Sequence, residues 1–502
     1  MAIAKVCGTE TEYGIRLLGS SADHPSGEPN AMALASMLVN AYVARVDKLV
    51  GWDFEDESPG RDARGFAREG SPPEIDTRLV NSVLTNGARY YVDHAHPEYS
   101  TPECSNPIEL VCADKAGELV LAASIEAANR VFRDGEGIAV YKNNSDGKGN
   151  SYGCHENYLM DRATPFSRIV RHVVPHFVSR QIFTGAGKLG SEGPGANDEV
   201  VRYQLSQRAD FFEEEVGLET TVKRPIVNTR DEPHADPRRF RRFHVIVGDA
   251  NLAETATFLK VGTTALVLAM IEDDYLSKVD LTLANPVRAI RQVSRDLELN
   301  QPLEMADGRR MSAVQIQWVL FEVASKYAQV GGLACFGDEG VGRAVLSSWE
   351  EVLQALETDP MSLDKQLDWV AKLRLIEAYK DRHGLDWSDR RLALLDLQYH
   401  DVRPGRSLFQ RLDMVKLCDP KEVVEAVDNP PRSTRAYFRG TCLRRWAPYV
   451  QAANWDSIVF DLGKDPLRRV PMMDPLKGTA EHVESLLEGC NDPAELLERL
   501  SA

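Results

Sequence analysis

Hydrophobic and polar residues follow two different periods along the chain, and the two periods alternate irregularly. Apolar positions at helical spacing predict helices, whereas short alternating segments predict strands. The predicted helices are 30–50, 113–132, 164–180, 251–272, most of 310–400 and two short ones within 477–502. The predicted strands are 4–17, the first part of 87–104, 136–143, 151–160, 219–228 and 242–249. Because these elements do not form a βαβ repeat, the pattern predicts an α+β fold built on an antiparallel sheet.

Two segments interrupt this pattern and suggest a domain organisation. Residues 51–78 contain 12 charged residues, four Gly and three Pro without any period. A segment of this kind is typical of a lid, a binding loop or a flexible insert. The Pro-rich stretch DNPPRSTR at 428–435 is the predicted boundary between a large domain, 1–427, and a small C-terminal domain, 428–502.

Charge excludes several classes of partner. The chain has 59 basic and 76 acidic residues, so its net charge is −17. This balance argues against nucleic acid or an anionic membrane as a partner, because phosphates require a basic surface. No apolar run approaches the length of a membrane span, and the first residues lack the apolar core of a signal peptide. We therefore expect a cytoplasmic protein, and the eight scattered cysteines fit reduced thiols.

The Gly-rich segment 183–197 invites a nucleotide interpretation, but neither common motif fits. Gly185, Gly187 and Gly190 match G-x-G-x-x-G, yet a predicted helix precedes them where a strand is required. Lys188 is followed by Leu189 and not by Ser or Thr, so the P-loop pattern also fails. A loop that closes over a substrate or a phosphate stays open as an interpretation.

Carboxylates on the predicted strands give the stronger signal. Glu10 and Glu12 are two residues apart and therefore project from one face of a strand, and Arg89, Tyr91 and Asp93 have the same spacing. If the strands are neighbours, the carboxylates that converge are Glu10, Glu12, Asp93, Glu98 and Glu103. Such a cluster repels itself unless cations neutralise it, and Mg²⁺ prefers oxygen ligands. The alternative is a set of solvated strand faces.

Other segments could complete such a site. His155 shares a strand face with Asn157, and His244 shares one with Arg242, although an isolated histidine on an apolar strand is often a core residue. Arginines concentrate at 238–242 and 432–445, and their guanidinium groups suit phosphate or carboxylate oxygens. Trp455 is a candidate for stacking on a purine.

Seven motifs, taken together and in order, resemble those of the Pup ligase/Pup deamidase family, within the carboxylate–amine ligase and glutamine synthetase superfamily. They are GTETEYGI, RYYVDHAHPEYSTPEC, GCHENY, FTGAGK, NTRDEPHAD, TRAYFRG and DPLKGTAEHV, spread from residue 8 to about residue 485. The resemblance implies a glutamine-synthetase-like curved antiparallel β-sheet cradle packed by helices, with a small C-terminal domain. It makes 1–427 a carboxylate–amine ligase-like catalytic domain.

The family contains two activities towards the small modifier Pup. A ligase joins the C-terminal glutamate of Pup to substrate lysines, and a deamidase/depupylase converts a C-terminal glutamine to glutamate and cleaves Pup from lysines. The deamidase branch carries a long polar loop before the strand of the catalytic aspartate, and residues 51–78 fit it. We therefore expect an ATP- and Mg²⁺-dependent hydrolase of amide and isopeptide bonds. The alternatives are the Pup–protein ligase and a catalytically inactive Pup-binding protein.

The resemblance also implies cofactors, partners and residue roles. ATP, or ADP plus phosphate, and Mg²⁺ are the expected cofactors, and Pup and pupylated proteins the expected partners of a monomer. Asp93 is the implied catalytic residue, as nucleophile or as base towards water. The implied metal ligands are Glu10, Tyr91 and Glu98, with His155 and His244 as further candidates. The implied nucleotide contacts are Arg89, Thr101, Arg435, Arg439 and Trp455, and the candidates for the substrate carboxylate are Arg208 and Arg230.

Overall fold

The structure is a computed structural model, and it describes residues 1–19, 30–44, 50–55, 57–58, 60–65, 80–133, 135–193, 201–463 and 465–501. The strands are β1 (Cys7–Glu12), β2 (Gly14–Leu18), β3 (Val50–Trp52), β4 (Asn81–Val83), β5 (Arg89–Asp93), β6 (His96–Ser100), β7 (Gly137–Tyr141), β8 (Cys154–Asp161), β9 (Lys188–Leu189), β10 (Tyr203–Gln204), β11 (Phe212–Gly217), β12 (Arg224–Asn228), β13 (Phe240–Val245), β14 (Leu303–Glu304), β15 (Arg310–Met311), β16 (Val450–Ala453), β17 (Ser457–Phe460) and β18 (Arg468–Pro471).

The helices are α1 (Ala31–Val43), α2 (Pro107–Asn129), α3 (Phe166–Ser179), α4 (Gln181–Thr184), α5 (Glu254–Glu272), α6 (Pro286–Arg295), α7 (Ala313–Gln329), α8 (Glu339–Thr358), α9 (Asp368–His383), α10 (Arg390–Tyr399), α11 (Pro420–Glu425), α12 (Ala436–Trp446), α13 (Ala480–Glu488) and α14 (Pro493–Ser501). Each predicted helical segment contains helix, whereas α4, α6, α11 and α12 lie outside those segments. Local sequence sets the start of α2, where the Asn106 side chain accepts hydrogen bonds from two free backbone N–H groups and Pro107 follows.

A ten-stranded sheet organises the fold, in the order β13-β8-β1-β6-β5-β4-β3-β16-β17-β18. Its neighbours are antiparallel except for β3 and β16, which run parallel. The predicted α+β class is therefore confirmed. Helices α2 and α5 pack behind the sheet, against β1 and β8 respectively. This leaves the opposite face of β1, β5, β6, β8 and β13 open for polar side chains.

Strand β6 differs from the sequence prediction, which treated the segment after Asp93 as a loop. His94 and Ala95 form a two-residue turn, so β5 and β6 make a hairpin in which Asp93 lies opposite His96. Pro97 has no N–H group, but its carbonyl accepts a hydrogen bond from the backbone of Tyr13. Pro97 therefore lies in a central strand and contributes an acceptor to the sheet, although it has no N–H group to donate.

Helix α5 corrects the statement that no apolar run is long enough for a membrane span. Residues Glu254–Glu272 are long and apolar enough by length and composition, and they are wholly buried in the protein. Interior burial on all sides explains the apolar character, because a helix surrounded by core has no polar face. The helix is the centre of the largest hydrophobic cluster.

Part of the predicted insert 51–78 is ordered structure. Residues 50–52 form β3, which pairs with β4 and β16. Further on, Asp62 pairs as an isolated β-bridge with Arg230, and its carboxylate accepts a hydrogen bond of 2.7 Å from the Thr229 hydroxyl. Residues 66–79 lie outside the described residues, so the flexible character predicted for them stays a prediction.

The C-terminal segment continues the main sheet. Strands β16, β17 and β18 extend it through β3, and Val50 and Trp52 share a hydrophobic cluster with Phe438, Ile458 and other residues of this segment. The predicted division into domains 1–427 and 428–502 stays a prediction. The shared cluster shows that residues 50–52 contribute to the core beneath the C-terminal strands.

Candidate active site

Strand register brings the predicted carboxylates to one face. Glu12 of β1 lies opposite Glu98 of β6, and Glu98 lies opposite Tyr91 of β5. One row of polar side chains therefore crosses three strands. Glu10 begins the neighbouring row, opposite His155 of β8. Directly opposed residues of antiparallel strands project from the same face, which is why residues far apart in sequence meet here.

The first group of possible ligands contains Glu12, Asp93 and Glu98. One carboxylate oxygen from each lies within 4.8 Å of the other two. The Tyr91 hydroxyl donates a hydrogen bond to Glu98, and His94 Nδ1 lies 3.0 Å from Asp93 Oδ2. Three carboxylates this close repel one another, so the group favours occupation by a cation.

The electrostatics separate Asp93 from Glu98. Burial raises the pKa of Glu98 well above its ordinary value, and the charges of Asp93 and Glu12 raise it further. Burial also acts to raise the pKa of Asp93, but the hydrogen bond and positive charge of His94 outweigh it and lower that pKa. The pKa of His94 in turn rises to about 9. Asp93 is thus ionised at neutral pH, and its side chain is 37% exposed.

The second group contains Glu10, His155 and His244. Their ligand atoms also lie within 4.8 Å of one another. Burial acts to raise the pKa of Glu10, but the His155 hydrogen bond and the positive charge of Arg242 hold it well below its usual range. Burial, followed by the Arg242 charge, lowers the pKa of His244 well below its ordinary value. The histidine is therefore neutral, which is the form that binds metal.

These donors fit divalent cations. Among the described residues, His244 Nε2 is a buried nitrogen without a hydrogen-bond partner. Carboxylate oxygens and a tyrosine hydroxyl are hard donors that suit Mg²⁺, and neutral imidazole suits divalent metals more generally. The two adjacent groups therefore have the donor chemistry of a metal centre.

A pocket opens beside Glu10. Thr101, Arg435 and Trp455 line it, as do Glu103 and His234. It combines an aromatic ring with a guanidinium group, as sites for small molecules commonly do. These features suit a ligand that carries both an aromatic ring and negative charge.

Glu103 does not join the carboxylate clusters, contrary to the expectation from its position in the loop. Arg435 Nε donates to its Oε1 at 2.7 Å, and Arg439 Nη1 donates to the same oxygen at 3.1 Å. Burial opposes ionisation, but the two arginines, with Arg439 the stronger, lower the pKa of Glu103 to about 2. Its charge is thus used to neutralise arginines in the pocket wall.

Two predicted nucleotide contacts, Arg89 and Arg439, are not among the described residues that line the pocket. The Arg89 guanidinium is sandwiched at 3.9 Å from the ring centres of both Trp52 and Tyr91. Arg439 is fully buried, with its guanidinium 5.1 Å from the ring centre of Trp455. Both arginines support side chains of the site, and their predicted contact with nucleotide stays a prediction.

The two candidates for a substrate carboxylate have different partners. Arg208 is buried and donates to the Ser151 hydroxyl at 3.3 Å and the Gly248 carbonyl at 3.2 Å. Arg230 lies near Glu232, with Nε 3.8 Å from a Glu232 oxygen. Their assignment to the substrate stays a prediction, as do the other residue roles implied by the resemblance.

The arginine run 238–242 is also divided by the fold. Arg238 and Arg239 are paired with Asp236 and Asp474 at the surface. Arg242 instead points into the site, with Nη1 3.6 Å from Glu10. The run therefore does not form one continuous basic surface, because alternate residues of a strand face opposite sides.

Sequence reasoning missed the residue that links the second group. Asn157 Nδ2 donates to Glu10 Oε1 at 2.9 Å, while its Oδ1 accepts from Arg242 Nη1 at 2.7 Å. The spacing of His155 and Asn157 placed both on one strand face, which was the available signal. Only the pairing with β1 and β13 shows the contacts that follow.

Comparison with known proteins gives consistent results. The Pup-ligase protein family model matches residues 5–459. A depupylase of Acidothermus cellulolyticus is 53% identical over 515 residues, covering 99% of each chain. A Pup deamidase/depupylase of Mycobacterium tuberculosis is 48% identical over 517 residues, again covering 99% of each. A Pup–protein ligase of Acidimicrobium ferrooxidans is 44% identical over 422 residues, covering 82% of this chain and 90% of the relative.

Two solved structures resemble the whole fold. The complex between Pup and its ligase PafA has a TM-score of 0.79 at 33% identity, covering 97% of this chain and 91% of that one. PafA in complex with ADP has a TM-score of 0.73 at 35% identity, covering 85% of this chain and 96% of that one. This likeness confirms the predicted glutamine-synthetase-like fold. The chain belongs to the Pup-ligase protein family.

Proposed function

We propose that this chain is a hydrolase of carbon–nitrogen bonds that deamidates the C-terminal glutamine of Pup and cleaves Pup–lysine isopeptide bonds. The observation that carries the proposal is likeness over the whole chain: the depupylase relatives match 99% of it, whereas the ligase relative matches 82%. The polar segment 51–78 supports the same branch. Pup and pupylated proteins are the proposed partners.

The cofactors belong to the same proposal. Glu10, His155 and His244 would hold one divalent ion, proposed as Mg²⁺, and Glu98 with Tyr91 would contribute to another. A bound divalent ion would polarise the scissile carbonyl and offset the negative charge that develops on it. Thr101, Arg435 and Trp455 line the pocket proposed for ATP, or for ADP plus phosphate, and the ADP complex of PafA supports this use.

Asp93 is the proposed catalytic residue because it is ionised and partly exposed, and because it belongs to the first group while the charge of His155 in the second group acts on it. In one route its carboxylate attacks the amide carbon, the amine or ammonia leaves with a proton taken from water, and water then hydrolyses the resulting anhydride. In the other route the carboxylate takes a proton from a water molecule, which attacks the same carbon, and the C–N bond breaks as the amine or ammonia leaves with that proton. The hydrogen bond from His94 keeps Asp93 ionised in either case.

A single turnover with excess enzyme in heavy-oxygen water tests for direct attack. Label recovered in the Asp93 side chain, located by peptide mass spectrometry, identifies direct attack. Label found only in the new C-terminal glutamate of Pup is expected from activated water and also from an anhydride that water opens at the substrate carbon.

The test of the activity uses Pup ending in glutamine, with ATP and Mg²⁺, followed by mass spectrometry for conversion of the amide to the acid. Conversion that disappears in Asp93→Asn supports the proposal. Joining of glutamate-ended Pup to lysine with release of ADP would instead identify the ligase, which the likeness to PafA keeps as the second candidate. Binding of Pup without either reaction would identify an inactive binding protein.

We also propose a cytoplasmic location and a monomeric state. All eight cysteines are free, which supports a reducing compartment. Cell fractionation tests the location, and light scattering coupled to gel filtration tests the monomer. A dimer mass in solution would contradict the second part.

A further inference from the structure

One amide side chain connects both ends of the second ligand group. Asn157 Nδ2 donates to Glu10 Oε1 at 2.9 Å. Its Oδ1 lies 2.7 Å from Arg242 Nη1 and 3.0 Å from His244 Nδ1. Asn157 thus contacts two proposed metal ligands, Glu10 and His244, and also the guanidinium group of Arg242.

The sheet explains how a short side chain reaches so far. Asn157 lies opposite His244 on β13 and opposite Gly8 on β1. The amide leans along β1 and bonds Glu10, its diagonal neighbour.

The charges on both sides fix the orientation of the amide. Arginine has only donors, so the atom facing Arg242 must be the oxygen. A carboxylate has only acceptors when ionised, so the atom facing Glu10 must be the NH₂ group. Both neighbours require the same orientation, and a flipped amide would lose both hydrogen bonds.

This orientation selects one tautomer of His244. Its Nδ1 faces the amide oxygen at 3.0 Å, so a proton on Nδ1 makes a hydrogen bond, whereas a lone pair there would face another lone pair. Arg242 Nη1 also lies 3.2 Å from Nδ1 and could donate to it in the opposite tautomer. That tautomer would leave a proton on the buried, unpartnered Nε2, which costs about 1–3 kcal/mol.

We infer that Asn157 is a positioning residue of the divalent-cation site: its amide oxygen keeps the Nε2 lone pair of His244 free, and its NH₂ group orients the Glu10 carboxylate. The inference rests on the proposed cation site, and it assigns no contact between Asn157 and the substrate. Hydrogen-bond partners of metal ligands commonly set metal affinity in this manner.

The test compares Asn157→Leu, Asn157→Asp and the wild type without Pup or nucleotide. Nitrogen NMR of the imidazole rings reports the His244 tautomer in the metal-free protein, with His244→Gln to assign the signal. We expect the Nδ1-protonated form in the wild type and in Asn157→Asp, which keeps an acceptor. We expect the Nε2-protonated form in Asn157→Leu, where Arg242 Nη1 is the hydrogen-bond neighbour of Nδ1 that stays among the described residues.

The second readout is Mn²⁺ binding followed by electron paramagnetic resonance. Asn157→Leu should weaken binding by about 10–100-fold. Asn143→Leu is the matched control, because Asn143 is a buried amide that bonds the Tyr152 hydroxyl and the Ser145 carbonyl but no proposed ligand. It should bind Mn²⁺ as the wild type does. Melting temperatures identify misfolded variants, and Asn157→Ser replaces Asn157→Leu if the latter does not fold.

An unchanged tautomer and an unchanged Mn²⁺ affinity in a folded Asn157→Leu variant would overturn the inference. Loss of the tautomer in Asn157→Asp would likewise overturn the role of the oxygen. Both measurements are made without Pup, so they test the role of Asn157 even if the protein has no deamidase activity. A wild type that binds no Mn²⁺ would refute the proposed cation site, whereas the tautomer would still test Asn157.

Discussion

Glu103 offers a quantitative test of how the pocket wall is held together. Its carboxylate is shared by Arg435 and Arg439, whose side chains are 3% and 0% exposed. The pKa of Glu103 falls from an ordinary 4.5 to about 2. Because one pKa unit corresponds to about 1.4 kcal/mol, this difference amounts to about 3 kcal/mol of folding free energy. Breaking a buried ion pair by removing one partner costs a similar 3–5 kcal/mol, as an order of magnitude.

The perturbation is Glu103→Gln, which keeps the shape but leaves two buried arginines without a counter-charge. Urea unfolding followed by circular dichroism and fluorescence should show that the free energy of unfolding is lower by about 3 kcal/mol at pH 7. The pKa is lower in the folded state, so the stabilisation is complete above about 4.5 and is lost as the pH falls towards 2. The difference between wild type and variant should therefore shrink in acid.

Glu109→Gln is the matched control, since Glu109 accepts hydrogen bonds from Ser105 and Ser433 but forms no ion pair among the described residues. The free energy of unfolding should fall by only about 1 kcal/mol in Glu109→Gln. A loss below about 1 kcal/mol in Glu103→Gln, or a loss that is the same at pH 7 and pH 3, would refute the reasoning.

Three other predictions concern turnover, nucleotide and the ordered part of the insert. Asp93→Asn should reduce deamidation of Pup by about 10³-fold or more while fluorescent ADP still binds, and wild-type turnover would remove Asp93 from the chemistry. Trp455→Ala should weaken ADP binding by about 5–150-fold in calorimetry, the equivalent of 1–3 kcal/mol of stacking, and an unchanged affinity would exclude it from the site. Thr229→Val removes the hydroxyl that bonds Asp62, so tryptic cleavage after Arg64 should accelerate about fivefold for a loss of 1 kcal/mol. Cleavage at the wild-type rate would show that this hydrogen bond does not anchor the segment.

The local sequence pattern determined which residues share a strand face and where several of the helices lie. The two-residue spacing of Glu10 and Glu12, and of Tyr91 and Asp93, correctly assigned each pair to one strand face, because side-chain direction in a strand depends only on residue number. Helix α5 was predicted from the spacing of its apolar residues, because side-chain direction in a helix also follows a fixed period. The motifs of the resemblance are short, continuous runs of sequence, so they were legible before any strand was paired.

Strand order, register and burial were decided only by the tertiary structure. Glu10 meets His155 across 145 residues, and Glu103 meets Arg435 across 332. These contacts moved Glu103 from the acidic cluster to an ion pair, drew residues 50–52 into the sheet and made Asn157 the link between two proposed ligands. A local pattern specifies which way a side chain points, whereas its neighbour depends on the free energy of packing the whole sheet.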